Sequence, residues 1–480
     1  MSLEKTMTDL LGSRRVSTSY LERTAYSHDL APIPRNIMWL FNSLPDMVVK
    51  PQTLGEVAAI LKLANKLKVP VTPRGSATWG YGGAVPTLGG ILLDLQGLDK
   101  IVAFDEAAGL LTVQCGVIWK DILEFLEKTG WELPVYPSSA PSSTVGGFAG
   151  TGGLGYGSLQ HGSLGDNVAL ATVILPTGEK MILNQSSGWL RPDQLFGSEG
   201  TLCIFGELTL RLVPKRQSGA PFLAYFHQLA NAVEVAENLA RRTKPSSLIL
   251  RAFGFVRARE SEVLLSPEDA ESGAIIFGYY AGTPDQVERS INTFAELVAE
   301  KGGILRPRYE AEFEWSDRFY PLRIKKLGPT VLTSDVLVPS SRLTETIQYA
   351  WQLGCDASMD VETEAIWVSS DQVLFFPLFL SDERRAFRYL THSAITKKLI
   401  DRAISIGGRS YGYGLWNSFH FAVSEPTRRK EFTKMKRLLD PNGILNPGKT
   451  LTAKTRLGFP LPKALYAGFL EMLWQLGVWF

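Results

Sequence analysis

The chain has 480 residues, 45% of them hydrophobic, and a formal net charge of +2. That length exceeds what one hydrophobic core organises, so two or three domains are expected. The near-neutral charge argues against a general nucleic-acid binder, which carries a basic stripe, and no window is long and apolar enough to cross a bilayer.

Residues 1–45 are mixed and predict one helix and an N-terminal arm. The opening MSLEKTMTDLLGSRR has no apolar h-region, so a secretory signal is not expected. From residue 46 strands and helices alternate. MVVKP (47–51) reads as a strand, and Thr53 with Glu56 three residues on forms a capping box for the helix that follows. VPVTP (69–73), ILLDL (91–95) and LLTVQCG (110–116) read as strands, and residues 119–130 as an amphipathic helix stopped by Gly130. Residues 168–183 read as a hairpin about Pro176-Thr177-Gly178, and 201–215 as a strand pair closing a first domain over 46–215. A second domain, 216–390, alternates strands and helices without a glycine-rich loop and reads as α+β, a sheet with helices on one face. Residues 391–450 carry GGRSYGYGLWN (407–417) and DPNGILNPGK (440–449). The tail, 451–480, ends in ALYAGFLEMLWQLGVWF, too short and too interrupted by Glu471 and Gln475 to span. Two readings stand for residues 464–480: contact with a membrane surface or partner, or packing back on the protein. Cys115, Cys203 and Cys355 lie far apart in apolar stretches, fit no zinc or iron–sulfur spacing, and read as reduced and buried.

The most informative stretch is STVGGFAGTGGLGYGSLQHGSLGDN (143–167), crowded with glycine and nearly uncharged; PRGSATWGYGG (73–83) precedes it as a second such loop. Glycine lets main-chain N–H groups close in on anionic oxygens such as a pyrophosphate. Gly150-Thr151-Gly152-Gly153-Leu154-Gly155 spells GxGxxG, but PVYPSSAPSSTV before it is no buried strand and no apolar helix follows, so a nicotinamide Rossmann site is rejected.

Taken together, VPVTPRGSATW, PSSAPSSTVGGFAGTGGLGYGSLQHGSLGDNV, LFGSEGTLCIFGELTLRLVPK and LLDPNGILNPGK resemble, in order, the segments of the FAD-linked oxidase superfamily. Its members include vanillyl-alcohol oxidase, p-cresol methylhydroxylase, glycolate oxidase flavoprotein subunits, D-lactate dehydrogenases and alkyl-dihydroxyacetone-phosphate synthase. The resemblance implies an α+β, two-lobed p-cresol methylhydroxylase-type FAD-binding domain with an inserted α+β cap and a C-terminal return over 391–450. It implies that Pro73, Arg74, Gly75, Ser76, Ala77, Thr78 and Trp79 wrap the FAD diphosphate, with Ser138, Ser143, Thr144, Gly146 and Gly147. It implies that Thr151, Gly152, Gly153 and Gly155 approach the flavin, with Glu199, Gly200 and Ile204 at the adenosine end. His161 becomes a wall residue. The position that often carries a flavin-linking histidine is Thr78, so FAD is expected to be noncovalent.

The chemistry implied is hydride transfer from an alcohol or 2-hydroxy acid to FAD, with electrons passed to an iron–sulfur or other acceptor subunit or to a quinone. Readings kept beside it are an oxidase using O₂, a flavin-bearing assembly subunit, and a non-redox transferase. The last is disfavoured because the alkyl-lipid synthase carries histidines where this chain has Tyr411 and Tyr413. The stretch Trp315-Ser316-Asp317-Arg318 resembles the W-x-x-R of glycolate and lactate dehydrogenases, making Arg318 and Arg323 candidates for a carboxylate. The family's HxGDGN run is missing, which argues against a metal. Tyr411, Tyr413 and Asn417 stand as substrate-side polar groups, and a tyrosine as the proton acceptor. A cytoplasmic location, peripheral at the membrane through the tail, is expected.

Overall fold

The computed structural model describes residues 2–30, 41, 44–253 and 273–479. Short, continuously apolar runs form a small parallel sheet in the order Met47–Val49, Ile91–Asp94, Val71–Arg74, with Val16–Ser17 antiparallel on its outer edge. Every residue of the first two of these strands is buried, as a sheet covered on both faces requires. The helix Leu54–Leu67 starts at the expected capping box: Thr53 accepts from Glu56 N–H while the Glu56 side chain accepts from Thr53 N–H.

A second sheet is antiparallel, in the order Ile101–Asp105, Leu110–Gln114, Ile204–Arg211, Val168–Ile174, Lys180–Leu183. The expected hairpin over 168–183 is its far edge. The expected strand pair over 201–215 is instead one long strand, followed by Val213–Pro214, which pairs with Trp131–Glu132. The helix after Trp119 ends at Leu126, four residues before Gly130. Both sheets share one hydrophobic core, which also takes in Tyr413, Phe421, Leu439, Ile444 and Leu445 from the end of the chain. Val71 bridges Leu445 in parallel, so the closing DPNGILNPGK segment is stitched to the first sheet.

The cap is a nine-stranded antiparallel sheet. Its path runs Ile304–Leu305, Ser218–Phe226, Ala274–Gly282, Ser247–Phe253, Val361–Trp367, Gln372–Ser381, Val336–Pro339, Arg409–Ser410, with Thr330–Thr333 pairing beside Gln372–Ser381. The helices Leu229–Arg242, Pro284–Glu300, Leu343–Asp356 and Ala386–Ser405 cover one face. The expectation of helices on one face only is corrected: Arg308–Ser316 packs on the other, where Ala311 and Tyr156 meet Leu223, Ile249 and Phe277. The domain limit drawn at residue 390 falls inside Ala386–Ser405, which stays with the cap.

One face of the tail packs back on the protein, as in the second of its two readings. The helix Lys463–Trp479 lies on Ala386–Ser405, burying Leu470, Leu473 and Trp474, and Lys398 Nζ meets Glu471 Oε1 at 2.6 Å. Among the described residues no helix is long and apolar enough to cross a membrane. Cys115 and Cys203 are buried as expected, whereas Cys355 is exposed on the outer side of Leu343–Asp356.

Candidate functional site

One cavity of about 730 Å³ runs from the glycine loops to the cap sheet. Its first section is built by the two loops together. Strand Val71–Arg74 delivers the turn at residues 75–79, where Ala77 is held at φ +52°, a conformation that costs a residue with a Cβ and marks a constrained loop. Thr144 caps the short helix Val145–Gly150, its hydroxyl accepting from Gly147 N–H at 3.2 Å. Gly75 must be glycine because a Cβ there would overlap Thr144 Oγ1; the two loops interlock at that point.

Of the residues expected to hold the cofactor, Pro73, Arg74, Gly75, Ser76, Ala77, Thr78, Trp79, Ser138, Ser143, Thr144, Gly146, Gly147, Thr151, Glu199, Gly200 and Ile204 all line this cavity. Gly152, Gly153 and Gly155 do not. Gly153 packs on Leu164 and Gly155 on the Tyr136 main chain, so they shape the turn that brings Thr151 and Leu154 to the wall. His161 sits half-buried on the turn Ser158–His161, away from the wall, its pKa lowered by burial and by Arg216. Glu199 faces the cavity only in part. Its carboxylate accepts from Tyr413 N–H (2.8 Å), Gly414 N–H (2.7 Å) and the Thr450 hydroxyl (2.7 Å), latching the C-terminal return to the loops. Burial raises its pKa against those three donors.

The chemistry of this section fits FAD. Ser143 Oγ is buried at the wall with no hydrogen-bond partner among the described residues, a donor waiting for a ligand. Among the described residues this section carries hydroxyl donors, the acids Asp29 and Glu199 and one cation, Arg74, whose guanidinium is steadied by His28 C=O at 2.7 Å and by the Tyr26 ring at 5.3 Å. Neutral donors with a single arginine suit a diphosphate. The N-terminal arm therefore supports the first loop, which the sequence did not disclose.

Beyond the loops the cavity enters the cap. Asp335, at the head of strand Val336–Pro339, is buried, and its carboxylate accepts from Trp79 Nε1 (3.0 Å) and the Thr333 hydroxyl (3.1 Å). Burial raises its pKa, and the Trp79, Tyr81 and Thr333 donors only partly offset this. Asp335 was not anticipated; the signal was a lone acid inside the apolar run SDVLVP, since acids are seldom buried without a purpose. Tyr411 lines the same wall, receives a hydrogen bond from Leu154 N–H at 2.8 Å, and is pushed up to about 12 by burial. A phenol at that value is neutral near pH 7. Asn417 lines the wall, its amide donating to Gly412 C=O at 3.3 Å. Tyr413 does not reach the cavity; its hydroxyl donates to Glu425 at 2.6 Å inside the first core.

Neither expected carboxylate-binding arginine lines the cavity. Arg318 folds back, lying 4.1 Å from the centroids of both the Trp315 and Phe319 rings and donating to Trp315 C=O at 2.7 Å. Arg323 pairs with Asp317. The turn at 321–325, which carries Arg323, presents the exposed Lys325 to the cavity instead. Glu364 also faces the cavity, but its Oε2 accepts from the buried Arg251 at 2.6 Å, and Arg251 further pairs with Glu314. Cys115 and Cys203 line the first section; burial pushes Cys115 to about 12 and Cys203 higher, so neither is a reactive thiolate. Among the described residues no three His, Cys, Asp or Glu side chains come together as a metal site.

With this geometry in place, residues 45–184 match the family described as FAD binding domain, and residues 216–450 match FAD linked oxidases, C-terminal domain. The chain is 29% identical over 429 residues to a D-lactate dehydrogenase of Anaerostipes hadrus, covering 84% of this chain and 89% of that one. It is 28% identical over 469 residues to the glycolate oxidase subunit GlcD of Bacillus subtilis (strain 168), covering 93% and 96%. Among solved structures, p-cresol methylhydroxylase with substrate bound superposes with a TM-score of 0.80 at 18% identity, covering 94% of this chain and 96% of that one. Alkyldihydroxyacetonephosphate synthase superposes with a TM-score of 0.73, also at 18% identity, covering 92% and 85%. Identities that low speak for the fold alone.

Proposed function

This chain belongs to the FAD-linked oxidase superfamily and is an FAD-linked oxidoreductase acting on CH–OH donors, and on that premise we propose that its substrate is a 2-hydroxy acid, oxidised to the 2-oxo acid. The observation that carries the proposal is the single cavity that joins both glycine loops to the Asp335 wall, so that one ligand can meet a buried carboxylate beside the cofactor section. Support comes from the near full-length match to a D-lactate dehydrogenase and a glycolate oxidase subunit.

Bound FAD supplies the two-electron acceptor for the substrate C–H bond. The chain's own residues do the rest. The loops about Gly75 and Thr144 would hold the diphosphate, with Ser143 Oγ and Arg74 as donors, and Thr78 in place of a histidine would leave the cofactor noncovalent. Asp335 takes the hydroxyl proton as the carbonyl forms; a carboxyl whose pKa burial has raised is a better base than an ordinary aspartate. The Tyr411 hydroxyl, held at Leu154 N–H, orients the substrate without changing charge. Lys325 at the rim attracts the carboxylate. The electrons leave to a partner protein or a quinone.

The test is anaerobic titration of the purified holoprotein with glycolate, D- and L-lactate and simple alcohols, following bleaching of the flavin absorbance, then reoxidation with air or a soluble quinone. Bleaching by a 2-hydroxy acid, with faster reoxidation by quinone than by air, is expected. Bleaching by alcohols alone overturns the substrate class, and faster reoxidation by air makes the protein an oxidase.

A further inference from the structure

The cap section of the cavity is less polar than the residue types lining it suggest. Strand Gln372–Ser381 turns Leu374, Phe376 and Leu378 into it, alternate residues sharing one face of the sheet. Val331 and Leu332 add to this wall from the neighbouring strand Thr330–Thr333.

The polar groups present are spent on the protein. Thr330 donates to Glu383, and Glu364 is paired with Arg251. Ser393 and Thr396, on the helix Ala386–Ser405, donate to the carbonyls of Leu390 (2.6 Å) and Ser393 (2.9 Å) on their own helix. Thr333 is bound to Asp335. Apart from the Tyr389 phenol, which also lines this section, most of what the described residues leave to a ligand past Asp335 is hydrocarbon, with Lys325 at the rim.

The tail helix completes this hydrocarbon wall. Leu470 is buried against Ala386–Ser405 while also lining the cavity, and its neighbour Phe469 lines it while 38% exposed, which puts Phe469 at the mouth. A two-carbon hydroxy acid has no hydrocarbon body to cover this wall and would leave it facing water.

We propose that the substrate carries an extended aliphatic or aromatic body, which lies along Leu374, Phe376 and Leu378 and ends against Phe469 and Leu470, so that the C-terminal helix is a specificity wall. The inference rests on the reading above for the reacting group alone; the body is assigned by the wall.

The test has two arms. In the first, kcat/KM of the holoprotein is measured over glycolate, lactate, 2-hydroxybutyrate, 2-hydroxyhexanoate, 2-hydroxyoctanoate and mandelate. Burial of one further methylene should raise it roughly fourfold until the wall is filled. Phe376→Ala and, on the tail helix, Phe469→Ser should each lower the value for 2-hydroxyoctanoate several times more than that for lactate. In the second arm, which needs no turnover, thermal stabilisation and flavin spectral perturbation are followed with acetate, butyrate, hexanoate and octanoate, and both effects should grow with length. A flat or falling series in both arms overturns the proposal. If no hydroxy acid bleaches the flavin yet binding still climbs with chain length, the wall stands and the hydroxy-acid reading falls. If either variant fails to fold, the unmodified protein's two series still decide.

Discussion

Trp79 Nε1 donates to Asp335 Oδ2 at 3.0 Å, joining two residues 256 positions apart in sequence. The contact ties the first glycine loop to the head of a cap strand. The main chain of Asp335 extends the junction: its N–H donates to the Tyr81 hydroxyl at 2.6 Å, and its C=O accepts from Tyr411 N–H at 2.9 Å. One aspartate thus fixes the mutual placement of the loop, the cap and the C-terminal return. Gly412 permits this, since a Cβ there would run into the Trp79 ring.

Asp335→Asn tests the proton acceptor. The amide keeps the shape and can still accept from Trp79, so flavin content should stay near that of the unmodified protein. Turnover should fall by about 10²–10⁴-fold. The base must be ionised to act, and burial raises its pKa, so kcat/KM of the unmodified protein should rise with pH through a limb above the ordinary aspartate value of 3.8. That limb should vanish in the variant. Retention of both turnover and the limb would leave Asp335 a structural joint only.

Arg318→Ala and Lys325→Ala should separate packing from recognition. Arg318 stacks on two rings and closes on a carbonyl, so its loss should cost about 1–2 kcal/mol of stability, read as a lower urea midpoint. It should weaken acidic and neutral ligands alike. Lys325 is exposed at the rim, where a single charge pair is worth at most about 1 kcal/mol, so acidic ligands should weaken about two- to fivefold and neutral ones not at all. A selective loss of acidic ligands in Arg318→Ala would return that role to Arg318.

The uneven legibility of this site has a physical cause. The glycine loops were readable because their function is written in main-chain geometry, which only certain residues permit: Gly75 and Thr144 announce a close approach wherever they lie. The parallel strands and the capping box of Thr53 and Glu56 were readable because they are set by neighbours in sequence. Asp335 and the tail helix depend on contacts between segments 256 and 73 residues apart, and nothing local separates a buried acid at a cavity wall from one at a strand end. The W-x-x-R spacing misled for the complementary reason. It fixes which residues are near Arg318 in sequence, and those are Trp315 and Phe319, on whose rings the guanidinium rests.

Lys449 offers a pH-dependent stability. It is 2% exposed, and its Nζ donates to Asn446 Oδ1 at 2.5 Å. Burial lowers its pKa to about 7, although Asp29 and Glu199 oppose that shift. Because the folded value lies below the ordinary 10.5, the unfolded chain binds more protons between the two. Stability should therefore rise with pH from about 7 towards 10.5 and be lost as pH falls through 7, by at most about 5 kcal/mol. Urea midpoints measured from pH 6.5 to 9.5 should climb more steeply in the unmodified protein than in Lys449→Met. Equal slopes would mean that the amine is charged when buried or solvated in the fold.

The tail helix divides its residues between two faces, and paired variants should tell them apart. Leu470, Leu473 and Trp474 are buried on Ala386–Ser405, with Glu471 held by Lys398 beside them. Leu465, Met472 and Leu476 recur at helical spacing on the exposed side. Leu473→Ala removes buried hydrocarbon and should cost about 2–4 kcal/mol, visible as a lower Tm. Met472→Ser and Leu476→Ser change the outer face and should stay within about 0.5 kcal/mol of the unmodified protein. The flavin loops lie at the other end of the cavity from this helix, so flavin content should be the same in all three. Loss of flavin in Leu473→Ala at temperatures where the protein remains folded would mean that the tail supports the cofactor section as well as the cap, and an outer-face variant as damaging as Leu473→Ala would mean that the outward side is covered in the native protein.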